Sequence, residues 1–340
     1  MMSESLNPMP KRSLSLQPAD RFSGILSLLC CCALLGSCAL PSELTLDEAS
    51  GVVKCGDALL IVDDFYPGAY FRLPLEGSAG PLFKLNPSRI ERIDLPAANF
   101  VQDLEGIEIL SDGRIVVLSE RQHALFSENG MVAQYDNAFA EIGGRGLEGI
   151  AVKRMPEGDS RIAVVWEGGY MQPEIAGGNA QGLDEQKALK PIIMIHDLPR
   201  GKEKYRVPTE SSRLMTGIEL PLPDGTEPQA QRFRVPDLVW CKLGTADTEK
   251  EGFILLLSSM SGTDRAAFQY HWLQRYSLNG SPVGDPLDLD AVAPEILKGA
   301  NWEGLAWFEE GKSLVLIHER GSCDATYAFI IQVPDEWKVS

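Results

Sequence analysis

Apolar and polar positions alternate along this chain in a form that repeats. In "DLEGIEILSDGRIVVLSER" (Asp103–Arg121) two apolar runs, Gly106–Leu110 and Ile115–Leu118, flank the dipeptide Asp112-Gly113. Asp-Gly between strand-like runs predicts a tight β-hairpin, because such turns need positive φ and glycine adopts it without steric cost. Glu105 and Glu120 lie equally far from that dipeptide, so a two-residue turn places them opposite each other on one sheet face. Two facing carboxylates repel unless one is protonated or a cation or hydrogen-bond donor lies between them.

The form recurs three times. "EASGVVKCGDALLIVD" is bounded by Glu48 and Asp63, "LEGIAVKRMPEGDSRIAVVWE" by Glu148 and Glu167, and "WEGLAWFEEGKSLVLIHER" by Glu303 and Glu319, with Arg320 following. Each pair of acids is centred on or beside a turn glycine, so this reading puts acid opposite acid in every one. A fifth, degenerate copy opens at Asp237 and closes at Ser258 or Ser259.

Internal repeats decide the fold class before any single element does. Strand-like pieces ("AYFRL", "HALFS", "PIIMIHD", "YHWLQRYSL", "TYAFIIQV") follow each hairpin. About four strands per repeat, arranged radially, predict an all-β, four-stranded, antiparallel β-propeller. Five blades are visible, and the long gap after 148 leaves room for a sixth blade or for insertions such as the polar stretch Gly177–Leu189. The last repeat runs out after its third strand, so an N-terminal strand near Ser42–Leu46 is expected to close the ring.

In a propeller the start of each first strand and the end of each second strand share one mouth of the central channel. The opening acids Glu48, Glu105, Glu148, Asp237 and Glu303 are therefore candidate ligands for a hard divalent cation, Ca²⁺ above all. The competing reading has them capping backbone N–H groups of neighbouring blades. Glu120 and His318 are candidate general bases. Arg121 and Arg320, equivalent in "SER" and "HER", are candidate clamps for an anionic substrate group, or ion-pair partners of adjacent acids.

Composition changes this picture in two ways. The chain has 340 residues with a net charge of -17, which excludes nucleic acid as a natural partner. The N-terminus reads as a targeting segment over residues 1–37: Lys11, Arg12 and Arg21 precede the apolar run Ile25–Leu35, which is too short to span a bilayer. "LLGSC" resembles the bacterial lipoprotein signal, which implies lipidation at Cys38 and a cell-envelope location where that anchor is the membrane contact. Residues 38–340 then form a single propeller domain. Cys55, Cys241 and Cys323 remain, enough for one disulfide. There is no G-x-S-x-G elbow, no H-E-x-x-H and no Walker loop.

The three E-G hairpins together resemble the phytase-like β-propeller family described as having esterase-like activity, over most of Glu48–Val333. The resemblance implies an exported propeller and a metal-assisted hydrolase of phosphate or carboxylic esters. The dense aspartate and lysine runs of the calcium phytases are missing. The other function class is a non-catalytic envelope lipoprotein, a ligand- or protein-binding platform with a structural cation.

Overall fold

A computed structural model describes residues 45–75, 80–135, 146–166, 191–207, 212–216, 218, 231–244, 250–261, 268–320, 323 and 325–338. All of them belong to one unit, Glu43–Ser340. Five antiparallel blades form a five-bladed β-propeller. Blade one starts with β1 (Ala49–Cys55), β2 (Ala58–Asp63) and β3 (Ala69–Pro74). The chain then contributes β4 (Leu82–Lys84) to the last blade before β5 (Glu91–Asp94) returns to pair with β3. Blade two is β6 (Leu104–Ile109), β7 (Ile115–Ser119), β8 (Ala124–Ser127) and β9 (Gly130–Gln134). Blade three has β10 (Leu147–Arg154), β11 (Ser160–Trp166) and β12 (Ile192–Leu198). The chain next lays β13 (Tyr205–Arg206) parallel against β9 and completes blade three with β14 (Arg213–Met215). In blade four, β15 (Gln231–Arg234) and β16 (Leu238–Leu243) both pair with the long β17 (Lys250–Ser261), followed by β18 (Phe268–Ser277) and β19 (Pro282–Asp288). Blade five is β20 (Asn301–Glu309), β21 (Ser313–Glu319) and β22 (Tyr327–Gln332), with β4 as its outer strand.

Strand periodicity explains the core. Successive side chains point to opposite sheet faces, so each strand feeds two blade interfaces. In β2, Leu59 and Ile61 pack toward blade five and Leu60 and Val62 toward blade two. In β21, Leu314 and Leu316 face blade four and Val315 and Ile317 face blade one. Each of the five interfaces holds its own buried apolar cluster, so the ring closes by packing as well as by pairing.

Two expectations need correction, and the open question of a disulfide closes. The closing strand is Leu82–Lys84, hydrogen-bonded to Tyr327–Phe329; Thr45 and Leu46 are not in a strand, and residues 42–44 lie outside the described residues. The three cysteines form no disulfide. The hairpins do not set acid against acid. Leu110 N–H donates to the Arg114 carbonyl and Gly113 N–H to the Leu110 carbonyl, so the loop has a third residue, Ser111, with Gly113 at φ +88°. Ile109 then faces Ile115, and a β-bulge between Leu104 and Gly106 leaves Glu105 without a cross-strand partner. Glu167 and Gly177–Leu189 lie outside the described residues.

Candidate functional site

The same bulge opens four of the five inner strands. It falls between Ala49 and Gly51, Leu104 and Gly106, Leu147 and Gly149, and Trp302 and Gly304. The bulged residues are Ser50, Glu105, Glu148 and Glu303. The residue equivalent to the three glutamates in blade one is therefore Ser50, and Glu48 lies two residues earlier. The glycine after each bulge lets neighbouring inner strands touch. A Cβ on Gly51 would stand 2.8 Å from the Glu105 carbonyl oxygen, and one on Gly149 would stand 2.6 Å from Asp237 Cα. The E-G pairs thus serve ring closure through the glycine and line the mouth through the acid.

A cavity of about 230 Å³ opens at this mouth, lined by Glu48, Ser50, Asp64, Glu105, Glu148, Arg234, Glu303 and Glu319. Two of these residues, Asp64 and Glu105, group with Asp103, which does not itself line the cavity: one carboxylate oxygen of each lies within 4.8 Å of the others. Asp103 holds φ +59°, unusual for a residue with a side chain, and its carbonyl accepts the Glu120 N–H at 2.9 Å. Ser50 Oγ lies 2.5 Å from Asp64 Oδ1. Across the cavity, the Arg234 guanidinium donates to Glu303 and, at 2.8 Å, to Asn301 Oδ1, while the Asn301 amide donates to Glu303 and Glu319.

No family model matches this chain, and no curated protein matches it. Among solved structures it is similar to a streptogramin B lyase (10% identity, 86% of this chain and 96% of that one, TM-score 0.35). It is likewise similar to a thermostable family-43 glycoside hydrolase (9%, 85% and 91%, TM-score 0.43). A third is the calcium-binding protein regucalcin from Agrobacterium tumefaciens (11%, 88% and 94%, TM-score 0.39). At TM-scores below 0.5 none of these bears on what this chain does; the propeller is established by its own blades.

At the mouth the strongest electrostatic perturbations fall on Glu105 and Asp64. Burial, with Asp64, Glu120, Glu303 and Asp103 close by, pushes the Glu105 carboxyl well above the usual carboxylate range. Burial pushes Asp64 up to about 8 against the opposing Ser50 hydroxyl, with Glu303, Asp103 and Asp63 adding to the rise. Glu48 is raised by burial and by Glu319 and Asp47. Without a cation, this mouth holds protons at neutral pH.

Other expected site residues sit elsewhere. Asp237 is buried and caps backbone: it accepts from Leu238 N–H at 2.8 Å and from Leu305 N–H of blade five at 2.7 Å. Asp63, the expected closing acid, is likewise a cap, accepting from Glu48 and Phe65 N–H at 3.0 Å. His318 is buried with both ring nitrogens engaged, Nδ1 2.6 Å from the Glu319 carbonyl and Nε2 accepting from Tyr327 N–H at 3.1 Å. It therefore has no nitrogen available to take a substrate proton. Arg121 is exposed and donates to Gln102 at 2.6 Å; Arg320 donates to Asp47 at 2.8 Å; neither lines the cavity. Glu120 packs against Gly146 beside Glu105. The residues missed from sequence are Asp64, Asp103, Ser50 and Arg234. Ser50-Gly51 carries the residue-then-glycine signal shared with the other bulges.

Proposed function

We propose that the mouth binds a hard divalent cation of the Ca²⁺ class and that the protein is a cation-dependent hydrolase of carboxylic esters. The observation that supports this is the triad Asp64, Asp103 and Glu105, whose oxygens lie within 4.8 Å of one another with Glu105 buried. An all-carboxylate donor set fits a hard cation, and the cation offsets a repulsion the fold otherwise builds in. When bound, such an ion polarises an ester carbonyl and lowers the pKa of water. Glu148 lines the cavity outside the triad and is the proposed general base, in place of His318 and with Glu120 behind Glu105. Arg234 neutralises Glu303 and leaves the remaining acids to repel a phosphate dianion, so the neutral carboxylic ester is favoured over the phosphoester. The resemblance of the E-G hairpins to the phytase-like esterase family supports the same chemistry. Export and lipidation at Cys38 belong to the proposal; mass spectrometry of the N-terminal peptide tests them.

A second reading, a non-catalytic binding platform with a structural cation, is favoured by the commitment of His318, Arg121 and Arg320 to protein partners. Calorimetric Ca²⁺ titration with an ester screen separates the two. The hydrolase reading expects Ca²⁺ binding lost in Asp64→Asn, and turnover lost in Glu148→Gln with Ca²⁺ binding kept. Binding without turnover on any ester selects the platform. No Ca²⁺ binding sinks both.

A further inference from the structure

The exposed apolar side chains of the described residues are not spread over the surface. Five large ones stand out: Phe65 (68% exposed), Phe100 (61%), Leu214, Val292 and Ile296. Four of these lie on the connections between strands at the mouth, Val292 and Ile296 in short helical turns. Phe65 follows the end of β2, and Phe100 precedes the start of β6. The two loops are joined by Gly68 N–H donating to the Val101 carbonyl at 2.8 Å. Val292 and Ile296 lie on the segment that leads from β19 into β20. Arg121, exposed, donates to Gln102 two residues from Phe100, and Arg320 stands at the end of β21, so both arginines are on the same rim.

The first described residue is also here. The Thr45 carbonyl accepts from Tyr66 Oη at 2.8 Å in the Phe65 loop, and Asp47 and Leu46 carbonyls accept from Arg320 N–H and Thr326 Oγ1. Cys38 is seven residues before Thr45, a reach of at most ~25 Å for extended chain.

We infer that the mouth face docks on a phospholipid bilayer, with the acid-lined cavity opening toward the membrane surface. Phe65, Phe100, Val292 and Ile296 enter the interfacial layer, and Arg121 and Arg320 meet lipid phosphates at its edge. The acids are recessed in the cavity. Repulsion from the net charge of -17 is screened beyond ~8 Å at physiological salt. A short tether raises the local concentration of this face at the lipid, so a weak patch suffices. The inference rests on the expected anchor at Cys38 and is independent of the cation reading.

The test uses the full chain, purified from membranes and reconstituted into phosphatidylethanolamine–phosphatidylglycerol vesicles in EDTA. Phe65→Trp and Phe100→Trp add a fluorophore at exposed positions; Glu157→Trp adds one on the exposed turn between β10 and β11, at the opposite end of blade three from the mouth. Brominated phospholipid is expected to quench the added emission at 65 and 100 by about two-fold or more and to leave 157 unchanged. Equal quenching at all three, or none at 65 and 100, overturns the inference. So does failure of the full chain to float with the vesicles. Quenching at 65 and 100 in EDTA supports it whether or not the chain binds Ca²⁺.

Discussion

Removing one negative charge from the mouth is expected to stabilise the cation-free protein. The perturbation is Asp64→Asn, compared with wild type in EDTA as pH rises from 6.5 to 8. Asp64 is held up to about 8 in the fold, against 3.8 as its ordinary value. Over that window the unfolded chain has released this proton and the folded chain keeps it. The folded state binds more protons, so stability falls as pH rises. One and a half pH units correspond to ~2 kcal/mol from this carboxyl, with Glu105 acting in the same direction. For a unit of this size that is a loss of roughly 3 °C in Tm. The window starts at 6.5 because His196, lowered by burial from 6.5 to about 4, adds stability chiefly as pH climbs between those two values. Saturating Ca²⁺ is expected to remove the slope and raise Tm by ~4 °C, the effect of ligand at about one hundred times its Kd. Asp64→Asn is expected to show a shallower slope and no Ca²⁺ shift, and to melt higher than wild type in EDTA at pH 8. Differential scanning calorimetry reads all of this. A wild-type Tm that is flat or rises over the window in EDTA, or a Ca²⁺ shift that survives Asp64→Asn, refutes the reasoning.

Three more outcomes follow from the same geometry. Gly149→Ala brings a Cβ to 2.6 Å from Asp237 Cα, a backbone atom that cannot swing aside; a loss of about 2–4 kcal/mol in urea unfolding is expected, and a change below about 0.5 kcal/mol refutes the contact. Asp237→Ala strips the cap from the buried Leu305 and Leu238 N–H groups and is expected to cost about 2–4 kcal/mol, while Ca²⁺ affinity measured by calorimetry stays unchanged. His318→Gln is expected to lower Tm while leaving ester turnover per folded molecule at its wild-type value; a large drop in kcat with Tm unchanged returns His318 to the role of base.

The repeat was readable because hydrophobic alternation and turn glycines are local. Gly56, Gly113, Gly158 and Gly311 all hold positive φ at the hairpin turns that the pattern marks. The register was not readable. A bulge inserts one residue without changing the alternation around it, so Glu105 and Glu120 look opposed in sequence while Leu104 in fact faces Ser119. Ring closure escaped for a related reason: Leu82–Lys84 is three residues long, pairs with a strand far along the chain and carries no periodicity of its own. Arg234 escaped because it ends a strand outside the hairpin template and reaches the mouth only because β15 pairs alongside β17. Adjacent Asp63 and Asp64 show the limit most plainly. One caps backbone and the other lines the cavity, because β2 ends at Asp63 and the turn begins at Asp64, a boundary that sequence alternation does not mark.

The bulges also bear on why the mouth is acidic. The close approach of inner strands depends on the glycine after each bulge and leaves the bulged side chain chemically unspecified. Blade one shows this: Ser50 occupies the bulge, and a Cβ on Gly51 would still stand 2.8 Å from the Glu105 carbonyl oxygen. Blade four closes against its neighbours with Asp237 turned into a cap and no bulge between Leu238 and Leu243. Ring closure therefore makes no demand for glutamate at 105, whereas Glu303 also serves as the ion-pair partner of the buried Arg234. A buried Glu105 beside Asp64 costs stability when both are ionised, and serine serves the same backbone without that cost. What Glu105 adds over serine is an oxygen ligand and negative potential beside Asp64 and Asp103. That surplus is the physical argument for a cation at the mouth.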